Sequence, residues 1–198
     1  MASLYLDESL DASAFAVGST LSIEGDDARH AVQVARVKVG ERIAIGDGRG
    51  RIARGAVIEA SPRSVAIHID EIEDSPLPTP RIRLVQALAK GDRDELAVQA
   101  ATELGVAEVV PWAATRSISR WDGAKAQRGR ARWATIAREA AKQSIRSTVP
   151  LVAELATTAA IARLGGLVLV LDPAGSEPLS AVDLDGVEEL TLGVGPEG

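Results

Sequence analysis

Three prolines at alternate positions, the last of them Pro80, divide this sequence of 198 residues into two parts. They lie in the segment of residues 73–80. Because proline lacks a backbone N–H and fixes φ, this segment cannot form a helix or a central strand, and an extended linker is expected. The sequence therefore predicts two domains, at residues 1–72 and 81–198, joined by that linker.

The first part shows the alternation of apolar and polar residues that half-buried β-strands require. The alternation is clearest at residues 42–45 and 65–69, and a glycine-rich turn at residues 46–50 leads into another such run at 51–58. Residues 26–37 are predicted to form a helix that begins with an aspartate cap. Several short strands with one helix indicate a small β-barrel.

The second part alternates apolar runs with helical patterns, which predicts a parallel α/β sheet. One helix is expected at residues 92–104, with Asp92 as N-cap, Glu95 at the capping-box position and Gly105 as the stop, and a longer one at 125–146. Strands are expected at residues 82–89, 106–112, 149–152, 167–171 and 190–194. The fourth of these is a continuous Leu-Val run, typical of a strand buried on both faces.

The net charge of −6 argues at first against a nucleic-acid ligand, because phosphate binding needs a basic surface. The charge is unevenly distributed, however. Residues 27–63 hold eight basic and four acidic side chains, and residues 116–146 hold nine basic and two acidic ones. Two basic islands in an acidic chain indicate a localised anion-binding face, with solvated surfaces carrying scattered arginines as the alternative.

Two turns that are suited to ligand binding follow predicted strands. Residues 195–198 have the sequence Gly-Pro-Glu-Gly, and residues 171–175 end the preceding apolar run with Leu-Asp-Pro-Ala-Gly. Turns at the carboxyl ends of parallel strands are where α/β folds bind ligands, and glycine allows close approach to the backbone. A structural turn is the alternative for each, and the chain contains neither a Walker loop nor a dinucleotide fingerprint.

The loop at residues 115–121 combines arginines, hydroxyl groups and Trp121, which is the mixture that binds phosphate and stacks on bases. The alternative is a surface loop with Trp121 packed inward. These two interpretations are equally consistent with the spacing.

Other classes of protein are excluded by the composition. Without cysteine the chain has no disulfide, no thiolate metal site and no cysteine nucleophile, and its two separated histidines predict no metal site. No run approaches the roughly 20 apolar residues of a membrane helix. The first 26 residues contain five acids and no base, unlike a signal peptide, so a cytoplasmic protein is expected.

Taken together, these motifs resemble the RsmE family of 16S rRNA uridine-N3 methyltransferases, which belongs to the SPOUT (trefoil-knot) class. The matching residues occur in the family's order, at 29–36, 40, 47–50, 90–93, 99, 102–105, 115–117, 132–133, 139–144, 146 and 195–198. The resemblance implies an RNA-binding, PUA-like β-barrel at residues 1–72. It also implies a SPOUT-like α/β methyltransferase domain with a parallel sheet and helices at 81–198, acting as a homodimer on 16S rRNA or the small ribosomal subunit.

The resemblance further implies S-adenosylmethionine as cofactor. The implied cofactor-binding residues are Leu171, Pro173, Val194, Gly195, Pro196, Glu197 and Gly198. The implied RNA-binding residues are Arg29, His30, Arg36, Lys38, Arg49, Lys90, Arg116 and Arg120. Arg116 is the candidate catalytic donor to the carbonyl oxygens of uridine, and Glu197 either removes the N3 proton or orders its loop.

The family pattern continues past Gly-Pro-Glu-Gly with a helix, a strand and a Leu-Arg-x-Glu-Thr loop that closes over the cofactor. The present sequence does not contain that segment, so we expect an incomplete knot and less than full activity of these 198 residues alone. Two alternatives from other classes are a non-catalytic RNA-binding protein and a small-molecule enzyme that uses a nucleotide. The missing glycine fingerprint counts against the second of these.

Overall fold

In the computed structural model the described residues are 3–172, 174–175 and 177–196. They form two compact units, Met1–Pro76 with Ala141–Thr148 and Leu77–Ala140 with Val149–Gly198. Residues 141–148, which the division at the prolines assigns to the second part, join the first unit because of specific bonds. Lys142 Nζ lies 3.1 Å from Asp27 Oδ1, and the Gly50 N–H donates to the Ser147 carbonyl at 3.0 Å.

The first unit is a curled five-stranded sheet in the order β1-β3-β4-β5-β2. Its elements are β1 Leu4–Leu6, β2 Thr20–Glu24, α1 Gly25–Gln33, β3 Arg42–Gly46, β4 Arg51–Ala60 and β5 Ser64–Asp74, with a 3-10 turn at Ala12–Ala14. Two register shifts between β4 and β5 bend the sheet around a core that includes Ile23, Ile45 and Ile67. Gly55 lies at one shift, where a Cβ atom would come within 1.9 Å of the His68 carbonyl oxygen. The predicted β-rich domain is thus confirmed.

The predicted helix at residues 26–37 is too long at its carboxyl end. The helix α1 ends at Gln33, and Arg36 has a left-handed backbone with φ of 57°. The turn that follows α1 brings Val37 into the core, where its N–H bonds to the Ala31 carbonyl at 2.9 Å. The expected aspartate cap is also wrong, because Glu24 occupies the N-cap position and its side chain makes no capping bond.

The second unit contains the predicted parallel sheet, in the order β10-β11-β6-β7-β8. Its elements are β6 Arg81–Ala87, α2 Arg93–Leu104, β7 Glu108–Ala113, α3 Ala124–Gln143, β8 Leu151–Val152, β9 Ala156–Thr157, α4 Thr158–Ile161, β10 Leu167–Leu171 and β11 Glu189–Val194, with a 3-10 turn at Leu179–Ala181. The short strand β9 pairs with β7. On one face of the sheet, Leu84 and Leu88 pack with Val98 of α2 and Trp133 of α3. A separate core cluster contains Val85 together with Val110 of β7 and Ile161 of α4.

Two details of the second unit differ from the expectation. The strand β10 is not buried on both faces, since Val170 is 62% and Leu171 38% exposed. Its position at the edge of the sheet explains this exposure. The helix α2 ends at Gly105 as predicted, but Asp92 makes no side-chain cap and Glu95 pairs with Arg132 of α3 at 2.9 Å instead of closing a capping box.

None of the helices in the described part of the chain is both long enough and apolar enough to cross a membrane.

Candidate functional site

The carboxyl ends of four parallel strands meet at one edge of the second sheet. Leu171 of β10 is the register partner of Val194 of β11, and Val194 is the partner of Gln86 of β6. Gln86 is in turn level with Pro111 of β7. The turns after β10 and β11 therefore begin side by side, as the sequence predicts, at the edge where parallel sheets bind ligands.

A cleft of about 700 Å³ opens at this edge. Residues 88–92, which connect β6 to α2, form one wall together with Arg93 at the start of α2. Arg116 and Ile118, from the loop after β7, form another, and Pro196 from the turn after β11 completes the lining. Three of the predicted site residues, Lys90, Arg116 and Pro196, are thus brought together in one cleft.

The described lining of the cleft carries three cations and one carboxylate. Lys90, Arg93 and Arg116 line it, and no carboxylate of the described residues lies within ion-pair distance of any of the three. Asp92 is the one acidic side chain among the described residues of the lining. Other arginines of this unit, such as Arg83 and Arg130, do pair with carboxylates, each at 2.5 Å. The cleft is therefore suited to an anionic ligand.

Asp94 holds the loop that carries two of these cations. Asp94 is 5% exposed, and its carboxylate accepts from the Ala89 N–H at 3.1 Å and the Glu95 N–H at 2.9 Å. Burial raises the pKa of Asp94 above its usual value, and these two hydrogen bonds oppose that rise. The sequence motifs did not identify Asp94, because its hydrogen bond to the Ala89 N–H depends on how the chain turns between β6 and α2.

Trp121 packs inward, which decides between the two interpretations of its loop. Its ring lies 5.0 Å from the ring of Trp133 in an edge-on arrangement, with an interplanar angle of 70°. It also covers Gly129 of α3, where a Cβ atom would lie only 2.5 Å from the indole. Trp121 is therefore an anchor for the loop that carries Arg116.

A second cleft, of about 690 Å³, runs along the exposed edge of β10. Its walls are residues 168–172 and residues of the following segment up to Val182. The lining combines apolar side chains, including Leu171, with the carboxylates of Asp172 and Glu177. This combination is suited to a ligand with an apolar body and a positive charge.

The predicted cofactor residues are only partly described. Pro173, Glu197 and Gly198 lie outside the described residues. Val194 ends β11, and a Cβ atom built on Gly195 would meet nothing within 4 Å, so the backbone there is open to a ligand.

Gln86 is a further candidate for ligand binding that the sequence analysis did not predict. A polar glutamine within the apolar run at residues 82–89 could have indicated it. Its side chain is 4% exposed, and its Oε1 has no donor among the described residues.

The RNA-binding predictions for the first unit lie on exposed residues. Arg29, His30, Arg36 and Lys38 are all exposed, and Arg29 pairs with Asp26 at 2.6 Å. Arg49 is engaged within the unit, since its guanidinium donates to the carbonyls of Glu8, at 2.6 Å, and Leu10. In the second unit, Arg120 is exposed on the Arg116 loop. These RNA contacts stay predictions.

Comparison with known protein families identifies both parts of the chain. A family model described as an RNA methyltransferase domain matches residues 75–198. Another, described as an RNA methyltransferase PUA domain, matches residues 23–70.

Individual relatives are similar over most of the chain. Ribosomal RNA small subunit methyltransferase E of Mycobacterium bovis is 36% identical over 188 residues, which cover 91% of this chain and 72% of the relative. Its namesake from Bacillus subtilis is 36% identical over 138 residues, covering 69% of this chain and 54% of the relative. The crystal structure of the Neisseria gonorrhoeae enzyme of the same name, bound to S-adenosyl methionine, matches with a TM-score of 0.79 at 25% identity, covering 98% of this chain and 80% of that one.

Proposed function

This chain belongs to the ribosomal RNA small subunit methyltransferase E (RsmE) family, and on that premise we propose that it methylates N3 of a uridine in 16S ribosomal RNA. S-adenosylmethionine-dependent methylation of small-subunit rRNA is the function of the family. The choice of uridine N3 rests on the resemblance of the sequence motifs.

The observation that carries the proposal is the arrangement of two clefts in the second unit. One is lined by Lys90, Arg93 and Arg116, which have no carboxylate partner among the described residues, and the other contains apolar walls with Asp172 and Glu177. RNA is a polyanion, whereas S-adenosylmethionine has an apolar adenosine and a cationic sulfonium. The charge of each cleft thus matches one of the two substrates.

The residues at the ends of β10 and β11 fit the cofactor. Leu171 supplies an apolar wall, and the open backbone at Gly195 leaves room for a ligand to approach. We assign Leu171, Val194, Gly195 and Pro196 to cofactor binding, together with Pro173, Glu197 and Gly198. Because Pro196 also lines the basic cleft, it marks where the cofactor would approach the RNA. The buried Oε1 of Gln86, next to Val194, is an acceptor available to a donor group of a ligand. When bound, S-adenosylmethionine supplies an electrophilic methyl group.

Arg116 is the proposed catalytic donor. The N3 atom of uridine must lose its proton before it becomes an effective nucleophile, and the resulting negative charge spreads over the neighbouring carbonyl oxygens. A guanidinium without a carboxylate partner can donate two hydrogen bonds to such oxygens and stabilise that charge. Glu197 is the candidate base for the N3 proton, with ordering of its own loop as its other role.

The same proposal includes the RNA-binding role of the first unit and the oligomeric state. The exposed Arg29, His30, Arg36 and Lys38 would contact rRNA, in keeping with the PUA match over residues 23–70, together with Arg49. A homodimer located in the cytoplasm is carried over from the family resemblance.

The test is methylation of small ribosomal subunits, and of naked 16S rRNA, from a strain that lacks 3-methyluridine. The protein is incubated with methyl-labelled S-adenosylmethionine, and the rRNA is then digested to nucleosides for mass spectrometry. We expect label only in 3-methyluridine, and no incorporation into subunits that already carry that modification. Label in another nucleoside would contradict the N3 assignment, and no label in either substrate would contradict the proposed enzyme.

A further inference from the structure

Asp94 is a buried carboxylate without a cationic partner among the described residues. A buried charge is costly unless its surroundings compensate, and here two backbone N–H groups do so. One belongs to Glu95 in the first turn of α2, and the other belongs to Ala89 at the end of the β6 segment. The carboxylate therefore joins the two ends of the loop that spans residues 90–93.

That loop carries two of the three cations of the basic cleft. Lys90 directly follows Ala89, and Arg93 directly precedes Asp94. Each cation is therefore next to one partner of the hydrogen bond between the Ala89 N–H and the Asp94 carboxylate. Between them, Gly91 adopts a left-handed backbone with φ of 78°, which glycine accommodates without strain. Asp92 makes no side-chain cap on α2. The loop conformation thus depends on Asp94 rather than on the residue at the N-cap.

We propose that Asp94 is a positioning residue for RNA binding, which holds Lys90 and Arg93 where both can contact phosphates of the RNA substrate. The inference rests on the proposed function, because it takes the basic cleft as the RNA site. It adds a role for a residue that touches neither substrate. Asp94 acts through the loop, so its loss should impair RNA binding and leave the cofactor cleft beside β10 unchanged.

The chain offers a matched control in the same loop. Asp94→Asn and Asp92→Asn each remove one negative charge close to Lys90 and Arg93. Electrostatics alone predicts that both changes tighten binding of a polyanion. If Asp94 positions the loop, Asp94→Asn must act in the opposite direction, because an amide N–H₂ cannot accept the bond from one of the two backbone donors.

The measurement is the affinity of both variants for a fluorescent fragment of 16S rRNA, together with KM for rRNA and kcat. We expect Asp94→Asn to raise the RNA Kd and KM by about fivefold, as loss of one hydrogen bond implies, with kcat and the Kd for S-adenosylmethionine within about twofold. Asp92→Asn should lower the RNA Kd or leave it unchanged. An equal change in RNA Kd for Asp94→Asn and Asp92→Asn would overturn the inference.

Two further arms keep the result interpretable. Should Asp94→Asn fail to fold, Asp94→Glu retains the charge but displaces the oxygens from the Ala89 N–H, and the same weakening of RNA binding is expected. Unchanged RNA affinity of a folded Asp94→Glu variant would then overturn the inference. Because RNA binding is measured without methyl transfer, a wild-type protein that binds RNA but does not methylate it contradicts the proposed function and leaves the comparison at Asp94 intact.

Discussion

Leu171 and Val194 are register partners at the carboxyl ends of two parallel strands, β10 and β11. The turn after each strand therefore starts at the same level of the sheet. This places the exposed edge of β10 and the open backbone at Gly195 on neighbouring strands. The proposed cofactor contacts follow from this relationship, since residues that are 23 positions apart in the sequence become adjacent.

Gly195→Ala tests the cofactor assignment without disturbing the fold. An added methyl group would meet no atom of the described residues within 4 Å, so the free energy of unfolding should change by no more than about 0.5 kcal/mol. The methyl group would occupy space assigned to S-adenosylmethionine, and we expect its Kd from calorimetry to rise about tenfold or more. Gly165→Ala, also in open space but before the amino end of β10, should change neither quantity. Wild-type cofactor affinity of Gly195→Ala would remove Gly195 from the site.

The salt dependence of RNA affinity tests whether the cations of the basic cleft contact phosphates. Each contact to a single strand contributes about 0.7 to the slope of log Kd against log salt concentration. Lys90→Gln and Arg93→Gln should each reduce the slope by about that amount in a fluorescence-anisotropy titration. Arg163→Gln changes an exposed arginine outside the cleft and should leave the slope unchanged. Three indistinguishable slopes would argue against phosphate contacts in the cleft.

Gly129→Ala tests the packing that anchors the Arg116 loop. Alanine normally stabilises a helix by up to about 1 kcal/mol relative to glycine. Here the new Cβ atom would lie 2.5 Å from the Trp121 ring, so the variant should lose about 1–3 kcal/mol in a urea denaturation experiment. In a Trp121→Ala background the same change should become stabilising, because the obstructing ring is gone. A stabilising effect in the wild-type background would refute the contact.

Features that are set by neighbouring residues in the sequence could be predicted, whereas features that depend on distant parts of the chain could not. Strand–helix alternation and the stop at Gly105 are local properties, and both were predicted correctly. The exposure of Val170 depends on the order of strands in the sheet, because an apolar run does not reveal whether its strand lies at an edge. The end of α1 depends on the burial of Val37, which the helical pattern does not encode.

The candidate site shows the same division. The predicted RNA-binding residues included Lys90 and Arg116, and the structure adds Arg93, which belongs to the same family motif as Lys90, to their cleft. Asp94 was overlooked because its hydrogen bond to Ala89 depends on a loop that turns back on itself. The inward orientation of Trp121 was not predictable, because it depends on contact with Gly129 of α3. The sequence predicts this helix but not which of its faces packs against the loop.

The pH dependence of stability tests the buried state of Asp94. Burial raises its pKa in the folded protein above the unfolded value of about 3.9, so the folded protein retains this proton to higher pH. The contribution of Asp94 to stability is therefore largest below the unfolded pKa and is lost as pH rises through the folded pKa. Asp94→Asn cannot titrate, so its unfolding free energy relative to wild type should rise across that window in urea titrations. A difference that is flat or falls with pH would contradict the raised pKa.

The most direct test of the account is the rate of methyl transfer by Arg116→Ala at saturating S-adenosylmethionine and rRNA. If Arg116 stabilises the charge that develops on uridine, the single-turnover rate should fall by about 10²–10³, as for removal of other oxyanion donors. Arg163→Ala, which lies outside the cleft, should retain the wild-type rate. A rate of Arg116→Ala within about twofold of wild type would contradict the assignment of this cleft as the site of methyl transfer.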